Sequence, residues 1–267
     1  MLKGLHTLTP YLDFIRTCNA DPDYRDPMRL TQQQLHRNLL DAPENPNTRV
    51  FGTFEGEAIT GVFALLVLED ERYLELLAGL SRSAAAYAEL LSHLKSAHPG
   101  YQADFVYNPR NRLLQEALAA LGAEFEPEQQ KLVLCRAVPY VPDARIVPYR
   151  PEYRAQYLAL HTVDRYWTGE KVLAAPEVFR VLLALEAGEA AGYIDLTHNS
   201  TENEPYDLFV REKSRRRALL AAAVQENRPN GMTLLVDIDN EAAIALYEAQ
   251  GFERADGENN ITAHICL

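Results

Sequence analysis

The chain has 267 residues, of which 47% are hydrophobic and 24% charged, and its formal net charge is −12. This length and composition predict a packed globular chain of one large domain or two ordinary ones, and they exclude intrinsic disorder. The acidic balance excludes a general nucleic-acid binder, because such proteins present a basic surface.

The number and spacing of the cysteines and the length of the apolar runs indicate the cellular compartment of the protein. The three cysteines are far apart and lack the spacing of a disulfide framework or a zinc site, so we expect no metal. Residues 1–14 lack the apolar core of a secretory signal, and no apolar run approaches the roughly 18 residues of a transmembrane helix. We therefore expect a cytoplasmic protein without a membrane partner.

The two halves of the chain predict the same elements in the same order. In the first half these are a β-hairpin at 51–65, a strand at 72–80, a helix at 83–98, a strand at 103–107 and a helix from Asn111 to Gly122. In the second half they are a hairpin at 182–196, a strand at 204–212, a helix from near Ser214 to 227, a strand at 233–238 and a helix from Asn240 to Gly251. The repeated order predicts an internal duplication.

A proline-punctuated stretch at 138–151 separates the halves. The boundary is expected near Pro142, because residues 145–149 have the pattern of the first strand of the second half. We therefore predict two domains, residues 1–140 and 141–267.

The most specific motif is the string LLVDIDNEAAIALYEAQGFE at 234–253. It begins with an apolar run that is typical of a buried strand, and Asn240 follows as a helix N-cap. Gly251 then ends the helix as a left-handed C-cap, with an apolar residue directly after it. With Tyr247 inside the helix, the string resembles the acyl-CoA-dependent N-acyltransferases of the GNAT superfamily.

The order of elements in each half is also similar to the GNAT fold. The resemblance implies an α/β (α+β) chain with two tandem GNAT-like domains, each a mixed, mostly antiparallel sheet flanked by helices. It implies acetyl-CoA as the acyl donor and a small-molecule amine or a peptide amine as the acceptor, which the sequence does not identify. A homodimer is compatible with the sequence.

The resemblance also implies where the donor binds. In GNAT folds a splayed strand offers its backbone to the pantetheine arm, and Phe209 and Val210 lie on the matching strand. Asn240 and Ala243, on the motif helix, are assigned to the same cofactor site. For Asn240 the alternative is a plain helix N-cap, which alone would explain the residue.

The start of the next helix departs from the family pattern. Where GNAT proteins have a glycine-containing pyrophosphate loop, this chain has Arg215, Arg216, Arg217 and Ala218 with no glycine. The missing glycines favour a weakened or lost cofactor site. The cations favour the opposite, because they oppose the helix dipole unless an anion lies among them. We predict that these four residues bind phosphate, with a solvated basic surface as the alternative.

Tyr247 is the candidate general acid, since the tyrosine of the family motif protonates the departing thiolate. The alternative is a core aromatic at helical spacing. Glu204 is the candidate general base, with Asp207 and Asp195 as further candidates. Each of these carboxylates could instead be an ordinary exposed strand-end residue. Trp167, beside Tyr166, is expected either to line the acceptor site or to pack in the core.

The first half lacks this chemistry. Leu118 aligns with the tyrosine of the motif, and residues 79–91 contain one arginine and no glycine loop. Because leucine cannot donate a proton, we interpret residues 1–140 as a degenerate copy and assign the chemistry to the second half. The competing hypothesis is a catalytically inactive GNAT-like module that binds a ligand or a protein, which the glycine-free helix start supports.

Overall fold

The structure is a computed structural model that describes residues 1–26, 35–136, 138–161, 167–212 and 215–267. The described residues divide into two compact units. Unit 1 consists of Met1–Gln129 together with Asp256–Leu267, and unit 2 consists of Gln130–Ala255.

The described part of the chain contains both strands and helices. In chain order the strands are β1 (Leu2–Gly4), β2 (Thr48–Glu55), β3 (Ala58–Leu68), β4 (Tyr73–Ser81), β5 (Gln102–Tyr107), β6 (Glu124–Phe125), β7 (Gln129–Leu134), β8 (Ile146–Pro148), β9 (Phe179–Glu186), β10 (Glu189–Thr197), β11 (Glu202–Asn203), β12 (Pro205–Val210), β13 (Gly231–Asp237), β14 (Phe252–Arg254) and β15 (Ile261–Cys266). The α-helices are α1 (Leu12–Ala20), α2 (Ala84–Ala97), α3 (Arg112–Ala120), α4 (Arg154–Leu160), α5 (Gly169–Ala174), α6 (Arg216–Asn227) and α7 (Glu241–Glu248). Among the described residues, every helix is too short or too polar to span a membrane.

Unit 1 is built on one sheet with the strand order β1-β2-β3-β4-β5-β15-β6. Its strands pair antiparallel except for β4 and β5, which run parallel. Because side chains alternate along a strand, β3 contributes Phe63 and Leu65 to one buried cluster and Val62 and Ala64 to another. The sheet is therefore covered on both faces.

Unit 2 contains two four-stranded sheets, which place β12 and β13 apart. One sheet is antiparallel with the order β12-β10-β9-β8, and the other has the order β11-β13-β7-β14. The main core of the unit joins α6 to both sheets through residues such as Leu182, Leu219 and Leu234. A second cluster around Tyr157 and Tyr193 covers the other face of the antiparallel sheet.

Two strands do not pair within the half of the sequence from which they come: β7 lies in a sheet of unit 2, and β15 lies in the sheet of unit 1. In the sequence β7 follows α3 and β6, yet it lies between β13 and β14 of unit 2. The last strand of the chain, β15, lies between β5 and β6 of unit 1. The units therefore differ from the predicted domains 1–140 and 141–267. Local patterns predict that a strand forms, but only tertiary packing decides which sheet it joins.

The predicted elements are confirmed where the structure describes them. The hairpins at 51–65 and 182–196 correspond to β2–β3 and β9–β10. The predicted helix at 83–98 is α2, with Ser83 as its N-cap. The helix expected to begin near Ser214 is described from Arg216, and Lys213 and Ser214 lie outside the described residues. The mixed α/β class is confirmed.

Candidate active site

A cleft of about 230 Å³ opens in unit 2 between the diverging strands β12 and β13. Its wall is formed by five consecutive residues at the start of β12, the first residue of α6, two residues of β13 and one face of α7. The lining residues are Glu204, Pro205, Tyr206, Asp207, Leu208, Arg216, Leu235, Val236, Asn240, Ala243, Leu246 and Tyr247. In its sheet β12 is the last strand, so one backbone edge of β12 has no strand partner among the described residues.

The cleft brings together half of the residues that the sequence assigned to the site. Glu204, Arg216, Asn240, Ala243 and Tyr247 all line it, although they come from the start of β12 and from two separate helices, α6 and α7. This grouping follows from the fold, because β12, α6 and α7 converge only where the two sheets separate.

The remaining predicted residues do not line the cleft. The Phe209 ring stacks on that of Tyr193, with a centroid separation of 6.1 Å, and Val210 is buried in the core. Along β12 these two residues lie beyond the part of the strand that borders the cleft. Any contact they make with a ligand there would use the backbone.

The side chains of the basic run at residues 215–218 have different surroundings. Arg215 lies 3.6 Å from the Glu186 carboxylate, Arg217 is exposed, and Ala218 is half-buried. Arg216 is the member of the run that lines the cleft. Because helical side chains point in successive directions about 100° apart, consecutive arginines cannot all face one ligand.

The start of α6 has the properties of an anion site. Among the described residues, which exclude Lys213 and Ser214, no side chain caps its N-terminus, and Arg215 occupies the N-cap position. The first backbone N–H groups of a helix have no partners within the helix and carry the positive end of its dipole. The Nε atom of Arg216 is also buried without a hydrogen-bond partner among the described residues. A phosphate oxygen would satisfy both kinds of donor.

Asn240 and Tyr247 each have a structural contact within unit 2 and also line the cleft. The Asn240 side chain accepts a hydrogen bond from the Ala243 backbone N–H at 3.1 Å, so it caps α7 while remaining exposed to the cleft. The Tyr247 ring packs edge-on against Phe252, with centroids 5.7 Å apart, and also lines the cleft. Packing holds the phenol in place, and the cleft makes it accessible.

Glu204 has the electrostatics of a base that works near neutral pH. It retains some exposed area in the cleft but is densely surrounded by protein, and this burial raises its pKa to about 7. A carboxyl group with such a pKa can exchange protons under physiological conditions. Its backbone N–H donates to the Thr197 hydroxyl at 2.7 Å, which fixes the start of β12 against β10.

The other acidic candidates occupy different surroundings. Asp195 is completely buried, so it is not the exposed strand-end carboxylate that the sequence left open. Asp207 accepts a hydrogen bond from the Tyr193 hydroxyl at 2.6 Å. Trp167 packs edge-on against Phe179 at 4.9 Å, in agreement with the core alternative, and Tyr166 lies outside the described residues.

One protein-family model matches part of the chain. Residues 146–252 match the model of the acetyltransferase (GNAT) family. None of the curated proteins compared with the chain matches it in sequence. The family match supports acyl transfer as the class of reaction.

Solved structures share the fold at low sequence identity. A GCN5-related N-acetyltransferase from Sphaerobacter thermophilus has a TM-score of 0.66 at 13% identity, covering 100% of this chain and 95% of its own. A tandem GNAT protein from the clavulanic acid biosynthesis pathway has a TM-score of 0.60 at 15% identity, covering 100% and 98%. A GNAT-family acetyltransferase from Colwellia psychrerythraea has a TM-score of 0.53 at 12% identity, covering 100% of both chains. The predicted resemblance is confirmed: the chain has the tandem GNAT fold, and residues 146–252 carry the pattern of the GNAT acetyltransferase family.

Proposed function

We propose that the chain is an acyl-CoA-dependent N-acyltransferase that transfers an acetyl group from acetyl-CoA to a primary amine, with its chemistry in unit 2. The observation that carries this proposal is the cleft between β12 and β13, where Arg216, Glu204 and Tyr247 line one space. An anion-binding group, a base and an acid are the functions that this transfer requires.

The cleft suits the two chemically different parts of CoA. The uncapped start of α6 and the Arg216 guanidinium offer N–H donors to phosphate oxygens. The unpaired edge of β12 offers backbone N–H and C=O groups to the amide groups of the pantetheine arm. The exposed Asn240 amide group adds a further polar contact on the α7 side.

The reaction follows from these positions in a ternary complex. The amine nitrogen attacks the thioester carbonyl carbon, forming the C–N bond, and the C–S bond then breaks. Glu204 accepts the proton that the amine loses, directly or through a water molecule. Tyr247 donates its phenolic proton to the departing thiolate and is reprotonated from solvent. The products are an amide and free CoA.

A second function is favoured by one observation. The start of α6 has no glycine, and Ala218 occupies a position where the family has one. A protein that has lost close backbone approach to phosphate could retain the fold as a binding module without catalysis.

Acetyl-CoA titration and an amine panel separate the two functions. We expect acetyl-CoA to bind in calorimetry and free thiol to appear when a suitable amine is added. Tyr247→Phe is expected to retain binding and to lose most turnover. Binding without thiol release from any amine would support the binding module. No binding at millimolar acetyl-CoA would contradict the enzyme proposal.

A further inference from the structure

A buried polar cluster lies beside the C-terminal end of α4 in unit 2. It contains His161, directly after α4, Asp195 on β10 and Asp207 on β12. The three side chains each offer one ligand atom, and these atoms all lie within 4.8 Å of one another. The Asp195 side chain is 0% exposed and that of His161 is 7% exposed. The acyl-transfer reaction described above does not use His161 or Asp195.

The strand register forces two carboxylates together in this cluster. Asp195 and Asp207 are direct partners across the β10–β12 pair, so their side chains lie on the same face. Two ionised carboxylates in this position repel each other. A cation between the carboxylates would remove this cost.

Two tyrosines hold the carboxylates in place. The Tyr157 hydroxyl donates to Asp195 Oδ1 at 2.9 Å, and the Tyr193 hydroxyl donates to Asp207 Oδ2 at 2.6 Å. The Tyr193 ring also stacks on His161, with centroids 4.1 Å apart and an interplanar angle of 14°. Metal ligands in proteins are commonly oriented by such outer hydrogen bonds.

The remaining atoms of the cluster point to a common ligand. His161 Nε2 lies 3.1 Å from Asp195 Oδ2, yet neither atom has an aligned hydrogen-bond partner among the described residues. Both atoms are buried, and the poorly aligned contact between them satisfies neither atom fully. If each atom bound one ion at about 2.0–2.1 Å, their separation would correspond to an angle of roughly 97° at the ion. That angle is ordinary for metal coordination.

The same register position in unit 1 is apolar. The repeat that aligns 51–65 with 182–196 places Ala64 opposite Asp195 in the alignment, and Ala64 pairs with Ala78 on β4. Both alanines are buried in an apolar cluster. The fold therefore does not require charged side chains at this position, and the cluster in unit 2 needs an explanation of its own.

We infer that His161, Asp195 and Asp207 form a binding site for one divalent transition-metal ion of the Zn²⁺ or Mn²⁺ type. One imidazole nitrogen and two carboxylate oxygens suit these ions, whereas Mg²⁺ and Ca²⁺ prefer oxygen ligands alone. Three protein ligands leave further positions for water. The ion ties the end of α4 to β10 and β12, so its binding stabilises unit 2.

Metal titration of the full chain tests this site. After treatment with a chelator, the protein is titrated with Zn²⁺, Mn²⁺ and Co²⁺ by calorimetry, and Co²⁺ binding is also followed by its visible absorption. We expect one site per chain and a higher melting temperature with the ion, and much weaker binding of Mg²⁺. The titration contains no CoA, so its outcome is independent of the acyl-transfer proposal.

Matched variants locate the ion. His161→Gln and Asp195→Asn should weaken binding at least tenfold, and Tyr157→Phe should weaken it about 10- to 100-fold through the orientation of Asp195. His198→Gln is the control, because His198 Nε2 lies 2.9 Å from the Pro176 carbonyl oxygen and outside the cluster. Asp207→Asn provides a second ligand variant if Asp195→Asn does not fold. The inference is wrong if no transition ion binds at micromolar concentration, or if the ligand variants bind it as tightly as the wild type.

Discussion

The helices α3 of unit 1 and α7 of unit 2 begin with equivalent asparagines that meet different surroundings. Asn111 and Asn240 each cap their helix, accepting from backbone N–H groups at 3.2 Å and 3.1 Å. The Asn111 amide nitrogen also donates to the Tyr87 hydroxyl at 2.8 Å, and the side chain is buried. Asn240 is exposed and lines the cleft. Unit 1 thus satisfies internally a polar group that unit 2 leaves exposed in the cleft.

The preceding helices show the same contrast. In unit 1 the Ser83 hydroxyl caps α2 by accepting from the Ala86 backbone N–H at 3.3 Å. In unit 2 no described side chain caps α6, and Arg216 lines the cleft beside it. Leu118 is fully buried at the position where Tyr247 meets the cleft. A duplicated framework can therefore lose or keep a binding site through a few residues that close it or leave it open.

The largest effect is expected from the Tyr247 hydroxyl, because the aligned residue of unit 1, Leu118, has no such group. We predict that Tyr247→Phe lowers kcat about 10²- to 10⁴-fold, with little change in acetyl-CoA affinity, because the variant removes the proton donor and keeps the ring. Steady-state thiol release and calorimetry measure the two quantities. Tyr101→Phe in unit 1 is the control for loss of a hydroxyl. Undiminished turnover in Tyr247→Phe would remove the acid assignment.

The next largest effect concerns the basic run. Replacing Arg216 by Gln should weaken CoA binding about 10- to 100-fold, as expected for loss of a charge-assisted hydrogen bond to phosphate. Arg217→Gln makes the same change of charge one position along, on an exposed side chain, and should have a much smaller effect. Equal losses in the two variants would indicate general electrostatic attraction in place of a contact at the start of α6.

The pH dependence should follow Glu204. Since its pKa is raised to about 7 and the base acts when deprotonated, kcat/KM should rise about fivefold from pH 6 to pH 7 and about twofold more before it levels off. Glu204→Gln should lower kcat/KM and abolish this rise. The same shift means that the stability contributed by the protonated carboxyl is complete below about pH 4.5 and is lost as the pH rises through 7. A wild-type profile without a group near 7 would exclude Glu204 as the base.

The smallest effect is expected on helix stability, where Asn111 and Asn240 should differ. We expect Asn111→Ala to destabilise its helix by about 1–2 kcal/mol, because a cap and a buried hydrogen bond are both lost, and Asn240→Ala by about 0.5–1 kcal/mol. Hydrogen exchange of the α3 and α7 amides reports the two losses separately. A larger loss of helix stability in α7 after Asn240→Ala than in α3 after Asn111→Ala would contradict this prediction.

The sequence predicted which strands and helices form better than it predicted which strands pair with each other. The hairpins and helices follow from local periodicity, and the internal repeat placed Asn111, Asn240, Leu118 and Tyr247 in equivalent positions. The sheets that β7 and β15 join could not be predicted, because the local pattern of a short strand does not identify its pairing partners. Only the three-dimensional packing distinguishes the two pairings.

Within the site, the sequence predicted five of the lining residues and misjudged how the basic run divides. Neighbouring arginines look alike in a sequence, but helix geometry sends Arg215, Arg216 and Arg217 in different directions. The cluster of His161, Asp195 and Asp207 was missed as a unit because its members lie far apart in the chain. One difference between the aligned hairpins could have revealed it: Asp195 in the second hairpin stands where the first has Ala64.

The number of CoA molecules that bind per chain tests most directly the claim that unit 2 is open and unit 1 closed. Calorimetry with the wild type should give one site per chain. Arg216→Gln should weaken that site, whereas Arg82→Gln, which alters the arginine near the start of α2, should leave it unchanged. Two sites per chain, or a single site that depends on Arg82 and not on Arg216, would contradict the account.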